Sequence, residues 1–289
     1  MPKNTKKTIA IVGATGTQGG ATARALLKYG HHVRGLTRDT YSDKAKALEL
    51  LGIEVVYADL DDTACMETAL SGVDTVFGVT TPFGTSIDTE ITQGKRLVDA
   101  AIANGVKHFV FSSAANADKN TGIPHFDSKY EIELYLRSQP IDWTIIGPGA
   151  FMDDFLGGWY KKSIDDGTLA RPMPINQPLS YICSNDIGAF AALAIDCGEE
   201  FYGKRIDIAG DSITGQQIVD TLAERIGKSI GYQEVPLEIA ETFSHDLAAM
   251  FGYFQTTGLA IDIDELRQKY PDVRWHTFID WAEQYAGHQ

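Results

Sequence analysis

The feature that most constrains the fold is an apolar run that leads into three regularly spaced glycines and then into a helix-forming segment. The run covers residues 8–12, the glycines are Gly13, Gly16 and Gly19, and an amphipathic segment continues from Ala21. This order predicts a buried strand, a tight turn and a helix whose first N–H groups face an anion. The first glycine permits the turn, the second lets the backbone approach a pyrophosphate, and the third allows the helix to pack closely on the strand. A glycine-rich turn that binds nothing is the alternative interpretation.

Strand and helix patterns alternate through the first half of the chain. The predicted strands that follow the first are 32–37, 53–58, 73–80, 107–112, 143–146 and 204–209, and the predicted helices are 42–51, 63–70, 89–104, 126–138, 187–195 and 214–227. Such alternation builds a parallel sheet with helices on both faces, so the predicted fold class is α/β, a doubly wound Rossmann sheet.

Glycines and prolines interrupt the periodicity from Gly147 onward, and this predicts a smaller C-terminal α+β lobe. We therefore expect an NAD(P)-binding Rossmann domain over residues 1–148 and a substrate or partner lobe over residues 149–289. Some strands and helices of the second segment are expected to return to the first domain.

Composition narrows the classes of partner. The chain has a formal net charge of -14, with 44% hydrophobic and 22% charged residues, so we expect a globular protein without direct nucleic-acid binding. The apolar run at residues 8–12 is too short for a signal peptide or a membrane span, and this favours a cytoplasmic protein without membrane contact. Three cysteines form no CxxC pair, and His31 and His32 are interpreted as exposed residues beside a strand, so no metal site is predicted.

The end of the second predicted strand addresses which dinucleotide is bound. NAD-selective proteins of this fold place an acidic side chain there to bond the ribose 2′-OH. Here the strand ends at Thr37 and Arg38, and a guanidinium suits the 2′-phosphate of NADP. Asp39 follows directly, so NAD(H) is the alternative if that carboxylate faces the ribose instead. We predict NADP(H) as the preferred cofactor.

Two further loops follow predicted strands, at the edge where open parallel sheets bind ligands. Asp59 and Leu60 are candidates to border an adenine, although aspartates in this loop would serve equally well as helix N-caps. Thr80 and Thr81 are candidates for the nicotinamide half, with Phe83 packing nearby.

Several motifs together resemble the NmrA-like family, an atypical branch of the short-chain dehydrogenase/reductases. These are Gly13-Ala14-Thr15-Gly16-Thr17-Gln18-Gly19-Gly20, Thr37-Arg38, Gln93-Gly94-Lys95, His125-Phe126-Asp127-Ser128-Lys129 and Ser184-Asn185-Asp186-Ile187-Gly188. The resemblance covers nearly the whole chain. It implies a dinucleotide-binding domain with a smaller C-terminal lobe, and either an NADPH-dependent reductase or a regulator that binds NAD(P) without turnover.

The resemblance also implies roles for individual residues. Lys129 would hold the nicotinamide ribose and Arg38 the 2′-phosphate, while the loop from Gly13 to Gly19 would hold the pyrophosphate. The candidate cofactor-binding residues are therefore Gly13, Thr15, Gly16, Thr17, Gln18, Gly19, Arg38, Asp59, Leu60, Thr80, Thr81 and Lys129.

The candidate catalytic pair is His125 and Lys129. Ordinary short-chain dehydrogenases use Tyr-x-x-x-Lys, and this chain has His125-x-x-x-Lys129, which keeps the spacing on one helix face and changes the acid. An imidazole can donate a proton near neutral pH, so His125 is the candidate acid; a surface position at the helix start is its alternative. Ser112 and Ser113, at the end of a predicted strand, are candidates to bond a substrate carbonyl or to satisfy local backbone groups.

The second lobe offers an apolar, partly aromatic set of side chains that would suit a planar acceptor or form a core. These are Phe151, Met152, Phe155, Trp159 and Tyr160. We predict an NADPH-dependent reductase of a small carbonyl or quinone. The alternative is a catalytically silent redox sensor that regulates a protein partner, and a homodimer is compatible with either function.

Overall fold

The computed structural model describes residues 6–285. These residues form two compact units, each of which is described on its own. The first contains the chain up to Asp118 together with His125–Gly147 and Ile187–Ile206. The second contains Lys119–Pro124, Pro148–Asp186 and the chain from Asp207 onward.

The strands and helices follow the predicted alternation in the first half of the chain. In chain order the strands are β1 (Thr8–Ile11), β2 (His32–Thr37), β3 (Glu54–Tyr57), β4 (Thr75–Val79), β5 (His108–Ser112), β6 (Asp142–Pro148), β7 (Ala150–Phe151), β8 (Thr168–Arg171), β9 (Leu179–Ile182), β10 (Lys204–Ile208), β11 (Asp211–Ile213) and β12 (Gly231–Glu234). The helices are α1 (Thr17–Leu27), α2 (Asp43–Leu50), α3 (Thr63–Ala69), α4 (Ile87–Ala103), α5 (Pro124–Arg137), α6 (Gly158–Asp165), α7 (Ser184–Cys197), α8 (Gly215–Ile226), α9 (Leu237–Phe243), α10 (His245–Thr256), α11 (Ile263–Lys269) and α12 (Phe278–Tyr285).

A seven-stranded sheet has the order β10-β6-β5-β4-β1-β2-β3. β1 pairs in parallel with β2 and β4, β2 with β3, β4 with β5, and β5 with β6. The strand order reverses beside β1, as in doubly wound dinucleotide-binding sheets. The predicted α/β fold class is therefore confirmed.

The sheet is built from residues that tolerate burial on both faces. All of β5 is buried, as are Ile9, Ala10 and Ile11 of β1, which matches the continuous apolar runs of covered parallel sheets. Helix α7 packs on α1 backbone to backbone, because a Cβ added at Gly188 would lie 2.5 Å from the carbonyl carbon of Ala21. Glycine at this position therefore brings the two helices together.

His31 differs from its interpretation as an exposed residue. Its side chain is buried, and its Nε2 lies 3.1 Å from Oδ1 of Asp196. Burial lowers the pKa of His31, an effect that the Asp196 carboxylate opposes. The prediction that His31 is exposed was wrong. Its partner, Asp196, lies near the end of α7 and 165 residues away in the sequence, so no local pattern indicates the contact.

The second unit contains a three-stranded sheet of order β11-β9-β7 and a parallel pair formed by β8 and β12. Its core contains the buried Arg171, whose guanidinium carbon lies 5.6 Å from the ring centre of Phe155 and 5.7 Å from those of Tyr160 and Tyr181. Cation–π attraction of this kind partly replaces the hydration that a buried guanidinium loses. Within the described range 6–285, no helix is both long and apolar enough to span a bilayer.

A buried histidine makes the first unit sensitive to acid. His108, at the start of β5, is 1% exposed, and its Nε2 lies 2.8 Å from the Thr144 hydroxyl. Because that hydroxyl donates to the carbonyl of Phe201, Nε2 is the donor, and the buried Nδ1 has no hydrogen-bond partner within residues 6–285. Burial lowers the pKa of His108 to about 3.

We expect His108 to weaken the fold as pH falls from 6.5 towards 3. In that window the unfolded chain binds a proton at this position and the folded chain does not, so the free energy of unfolding falls by up to about 1.4 kcal/mol per pH unit. His108→Phe removes this dependence. Urea unfolding at pH 7 and pH 4.5 measures it, with the exposed His245→Gln as control. Equal acid losses in wild type and His108→Phe would contradict the assignment.

Candidate functional site

A groove of about 430 Å³ lies at the carboxyl ends of β1 to β4 in the first unit. Its lining comes from the ends of these strands, from the loops that follow them, and from α3 and α4. The residues that the sequence analysis singled out and that line it are Gly13, Thr15, Gly16, Thr37, Arg38, Asp39, Asp59, Leu60, Thr80, Thr81 and Phe83, and Gln93 of α4 joins them. Four separate loops thus meet at one edge, where open parallel sheets bind ligands.

The glycine loop forms the end of this groove next to β1. Gly13 adopts a left-handed conformation (φ +64°), and its carbonyl accepts the N–H of Gly16 at 2.8 Å. A Cβ at Gly19 would lie 2.3 Å from the Gly13 carbonyl oxygen, so only glycine permits this approach. Helix α1 begins at Thr17, and its N-cap residue, Gly16, makes no side-chain capping bond in the described part of the chain. Its initial N–H groups therefore face an open position that suits an anion.

Three of the predicted loop residues do not line the groove. Thr17 is exposed, Gly19 is buried beneath the turn, and the Gln18 side chain accepts a 2.6 Å hydrogen bond from the Ser112 hydroxyl. Ser113 donates to Glu133 at 2.5 Å. Both serine hydroxyls at the end of β5 thus donate to protein side chains, rather than standing free for a substrate carbonyl.

Glu133 belongs to a second buried cluster. It is 0% exposed and accepts the Nε–H of Arg205 at 2.9 Å. Burial raises the pKa of Glu133, and the neighbouring guanidinium opposes that shift. Glu133 thus links α5 to β10 through Arg205 and to the residue after β5 through Ser113.

Arg38 and Asp39 have different surroundings at the end of β2. The Asp39 carboxylate accepts the N–H of Tyr41 at 3.0 Å, which directs one of its oxygens into the following turn. The exposed Arg38 side chain contacts no acceptor among the described residues, and it lines the groove. The free guanidinium is the group available to a phosphate.

The loop after β3 is tied to α4. Asp59 accepts the N–H of Asp61 at 3.0 Å, and the Leu60 carbonyl accepts Nη1 of Arg96 at 2.7 Å. Gln93 donates to the Asp61 carboxylate at 3.0 Å while lining the groove. The N-cap role suggested for aspartates of this loop belongs to Asp62, which accepts the N–H of Cys65.

A buried carboxylate organises the loop after β4. Glu90 of α4 is 0% exposed and accepts hydrogen bonds at 2.9 Å from both the Thr80 hydroxyl and Nζ of Lys129. Lys129 also donates to the Thr80 carbonyl at 2.9 Å, and the Ser128 hydroxyl donates to the other Glu90 oxygen. Sequence reasoning missed Glu90, and only its place in α4 just before the Gln93-Gly94 motif hinted at it.

His125 lies one helical turn before Lys129 in α5. Its ring is 8% exposed and is packed against Phe83, with ring centres 5.6 Å apart, and edge-on against Phe126 at 4.8 Å. Because Phe83 lines the groove and is 64% exposed, His125 reaches the groove's border through this contact. The structure thus connects Thr80, Phe83, His125 and Lys129 at the end of β4.

Two of the side chains suggested as a substrate wall belong to the core of the second unit. Met152 and Phe155 are buried, and the Phe155 ring lies 5.3 Å from Tyr160 and 5.6 Å from Phe278. Phe151 is half-buried. The side chain of Trp159 lies outside the described set.

One group of potential metal ligands occurs in the second unit. Ligand atoms of Cys183, Asp186 and His276 lie within 4.8 Å of one another. Asp186 accepts the His276 backbone N–H at 2.7 Å, and its other oxygen lies 2.5 Å from Nδ1. These groups therefore satisfy one another by hydrogen bonding, and burial raises the pKa of the Cys183 thiol.

The sequence matches the model of a known protein family. The model of the NmrA-like family matches residues 5–284. The chain belongs to the NmrA-like family. An NmrA-like family domain-containing oxidoreductase of Malbranchea aurantiaca is 35% identical over 258 residues, covering 78% of this chain and 75% of that protein.

Two solved structures share the NmrA-like fold. An NADPH-dependent quinone oxidoreductase of Escherichia coli, complexed with NADPH, has a TM-score of 0.80 and 24% identity, covering 96% of this chain and 99% of that one. NmrA, a negative transcriptional regulator in complex with NADP, has a TM-score of 0.79 and 22% identity, with 99% and 95% coverage. One fold thus includes a reductase and a regulator.

We expect Gly19→Ala to disrupt the loop at β1. The added methyl would overlap the Gly13 carbonyl, and strain of this kind costs about 1–3 kcal/mol. Urea unfolding and NADPH titration by fluorescence measure the two consequences, lower stability and weaker binding. The control is Gly157→Ala, because nothing lies within 4 Å of a Cβ there and the backbone is extended. Unchanged binding in Gly19→Ala would contradict the role of the loop.

Proposed function

We propose that this protein binds NADP(H) in the groove and uses it to reduce a small quinone or carbonyl acceptor. The observation that carries the proposal is the contrast at the end of β2. Both residues line the groove, but the Arg38 guanidinium has no partner within residues 6–285, whereas one oxygen of the Asp39 carboxylate accepts the N–H of Tyr41. A carboxylate directed at the ribose would select NAD, and a free guanidinium favours the 2′-phosphate.

The described groups fit a dinucleotide along the whole groove. The uncapped start of α1 and the loop from Gly13 to Gly16 suit a pyrophosphate. Asp59 and Leu60 would border the adenine, and Thr80 together with Lys129, which donates to the Thr80 carbonyl, would suit the nicotinamide ribose. The close approach of Gly19 to the Gly13 carbonyl supports this fit, because any side chain at Gly19 would fill the turn.

Bound NADPH would supply a hydride, and the protein has to supply a proton and an orientation. His125 is the candidate proton donor, directly or through water, because it borders Phe83 at the nicotinamide end. Lys129 is held in place by Glu90 and the Thr80 carbonyl, so its role is to orient the ribose. The fold shared with an NADPH-dependent quinone oxidoreductase supports a quinone as acceptor.

We expect Arg38→Ala to weaken NADPH binding about ten- to hundredfold, because a charge-assisted bond to phosphate contributes about 1.5–3 kcal/mol. NADH binding should change little, since NADH lacks that phosphate. Fluorescence titration with both nucleotides measures the ratio, and the exposed Arg274→Ala serves as control. Equal weakening of NADPH and NADH would refute the 2′-phosphate assignment.

Turnover separates the reductase from the redox sensor. We expect NADPH oxidation, followed by absorbance, with at least one member of a panel of quinones and aldehydes. His125→Ala should lower kcat more for aldehydes than for quinones, because an alkoxide needs a proton more urgently than a hydroquinone anion. Tight NADPH binding without turnover of any acceptor would contradict the reductase proposal. That result would favour the sensor, in keeping with the fold shared with an NADP-bound regulator.

A further inference from the structure

We propose that Glu90 is a positioning residue that fixes the direction of hydrogen bonding at the nicotinamide end of the groove. Through Thr80 and Lys129 it presents one acceptor and one donor, a pair that suits the vicinal hydroxyls of a ribose. The inference rests on the proposed cofactor site and assigns its selectivity at this end to a residue that contacts no cofactor itself.

Glu90 is fully engaged by its neighbours. Oε1 accepts from the Thr80 hydroxyl and from Lys129 Nζ, each at 2.9 Å, and Oε2 accepts from the Ser128 hydroxyl. The carboxylate has no exposed surface. A buried carboxylate is tolerated only when charged and polar partners compensate its lost hydration. The partners here come from the end of β4, where Thr80 lines the groove, and from α5, whose Lys129 contacts Thr80. Glu90 therefore joins α5 to the loop that lines the groove.

The bond to Thr80 determines what its hydroxyl can do. A threonine hydroxyl has one proton, and here the carboxylate accepts it. Towards any other group Thr80 Oγ1 can therefore only accept. A ligand hydroxyl at this position has to donate.

Lys129 has the opposite polarity. Two of its three N–H groups go to the Thr80 carbonyl and to Glu90. The third has no acceptor within residues 6–285, and the Lys129 side chain is 13% exposed. An ammonium only donates, so a ligand hydroxyl at this position has to accept. A vicinal diol meets both requirements, because one of its hydroxyls can donate while the other accepts.

The two ends of the groove differ in the charge that they present to a ligand. The Lys129 ammonium is paired with a carboxylate that has no exposure, so the pair is electrically neutral towards a ligand. A neutral pair favours hydroxyl groups over a phosphate, whereas the unpaired Arg38 favours the phosphate. Glu90 thereby favours one orientation of a bound dinucleotide, with the phosphate at Arg38 and the ribose hydroxyls at Thr80 and Lys129.

The test compares two ligands. NADPH carries the nicotinamide ribose, and 2′,5′-ADP carries the phosphorylated adenosine alone. We expect Glu90→Gln to weaken NADPH binding about tenfold, since the amide no longer neutralises Lys129 or accepts at both oxygens. Binding of 2′,5′-ADP should be unchanged. Glu133→Gln, which alters an equally buried glutamate paired with Arg205, is the matched control and should affect neither ligand.

Two further variants show whether Glu90 acts through its neighbours. Thr80→Val should weaken NADPH and spare 2′,5′-ADP, and Thr80→Ser should retain wild-type affinity for both. In a double-mutant cycle, adding Glu90→Gln to Lys129→Met should weaken NADPH less than it does in the wild-type chain. Additive effects would show that Glu90 does not act through Lys129 and would overturn the proposal.

The remaining outcomes are decisive in different ways. If Glu90→Gln weakens both ligands alike, or if Glu133→Gln matches it, Glu90 has a general structural role and the positioning proposal fails alone. If the wild-type protein binds neither ligand, the proposed function fails and this inference fails with it. Binding of 2′,5′-ADP by Glu90→Gln also demonstrates that the variant is folded.

Discussion

The backbone contact between Gly19 and Gly13 is the constraint on which the site depends. It allows α1 to start directly against the end of β1, where a methyl group would collide with a carbonyl oxygen. The start of α1 therefore faces the same edge as the loops after β2, β3 and β4. Because parallel strands all end at this edge, residues distant in sequence need only follow a strand to reach the groove. Close packing of Gly188 on Ala21 then holds the other side of α1.

The electrostatics of the groove differ from those of the molecule. The chain carries a formal charge of -14, yet one cation at the groove, Arg38, is left without a carboxylate partner among the described residues. Lys129, which lies next to the groove through its hydrogen bond to the Thr80 carbonyl, is paired with Glu90. In salt, charges act only over short distances. A protein with a net negative charge can therefore bind a nucleotide when its unpaired cations lie where they contact a phosphate directly.

Local patterns predicted the parts of the molecule that local forces determine. The strand at 32–37 was predicted with its observed bounds, and the helix starts follow side-chain caps such as Ser42 and Thr214. Arg38 was found because strand ends are readable from hydrophobic runs. Glu90 was missed because it meets Lys129 across 39 residues, and the Ser112–Gln18 bond spans 94. Such pairs leave no periodic signal. The short strands of the second unit, such as β7 and β11, were missed for the related reason that two or three residues form no pattern.

Histidine in place of tyrosine restricts the chemistry more than it restricts binding. Hydride transfer to an aldehyde or ketone leaves an alkoxide, a strong base that requires a proton as it forms. Transfer to a quinone leaves a hydroquinone anion, whose charge is delocalised and whose acidity is comparable to that of a tyrosine phenol near pKa 10. Water can protonate such an anion after the transfer. In the proposed reductase, a candidate acid that is a buried imidazole packed against Phe83 and Phe126 would therefore suit quinones better than simple carbonyls.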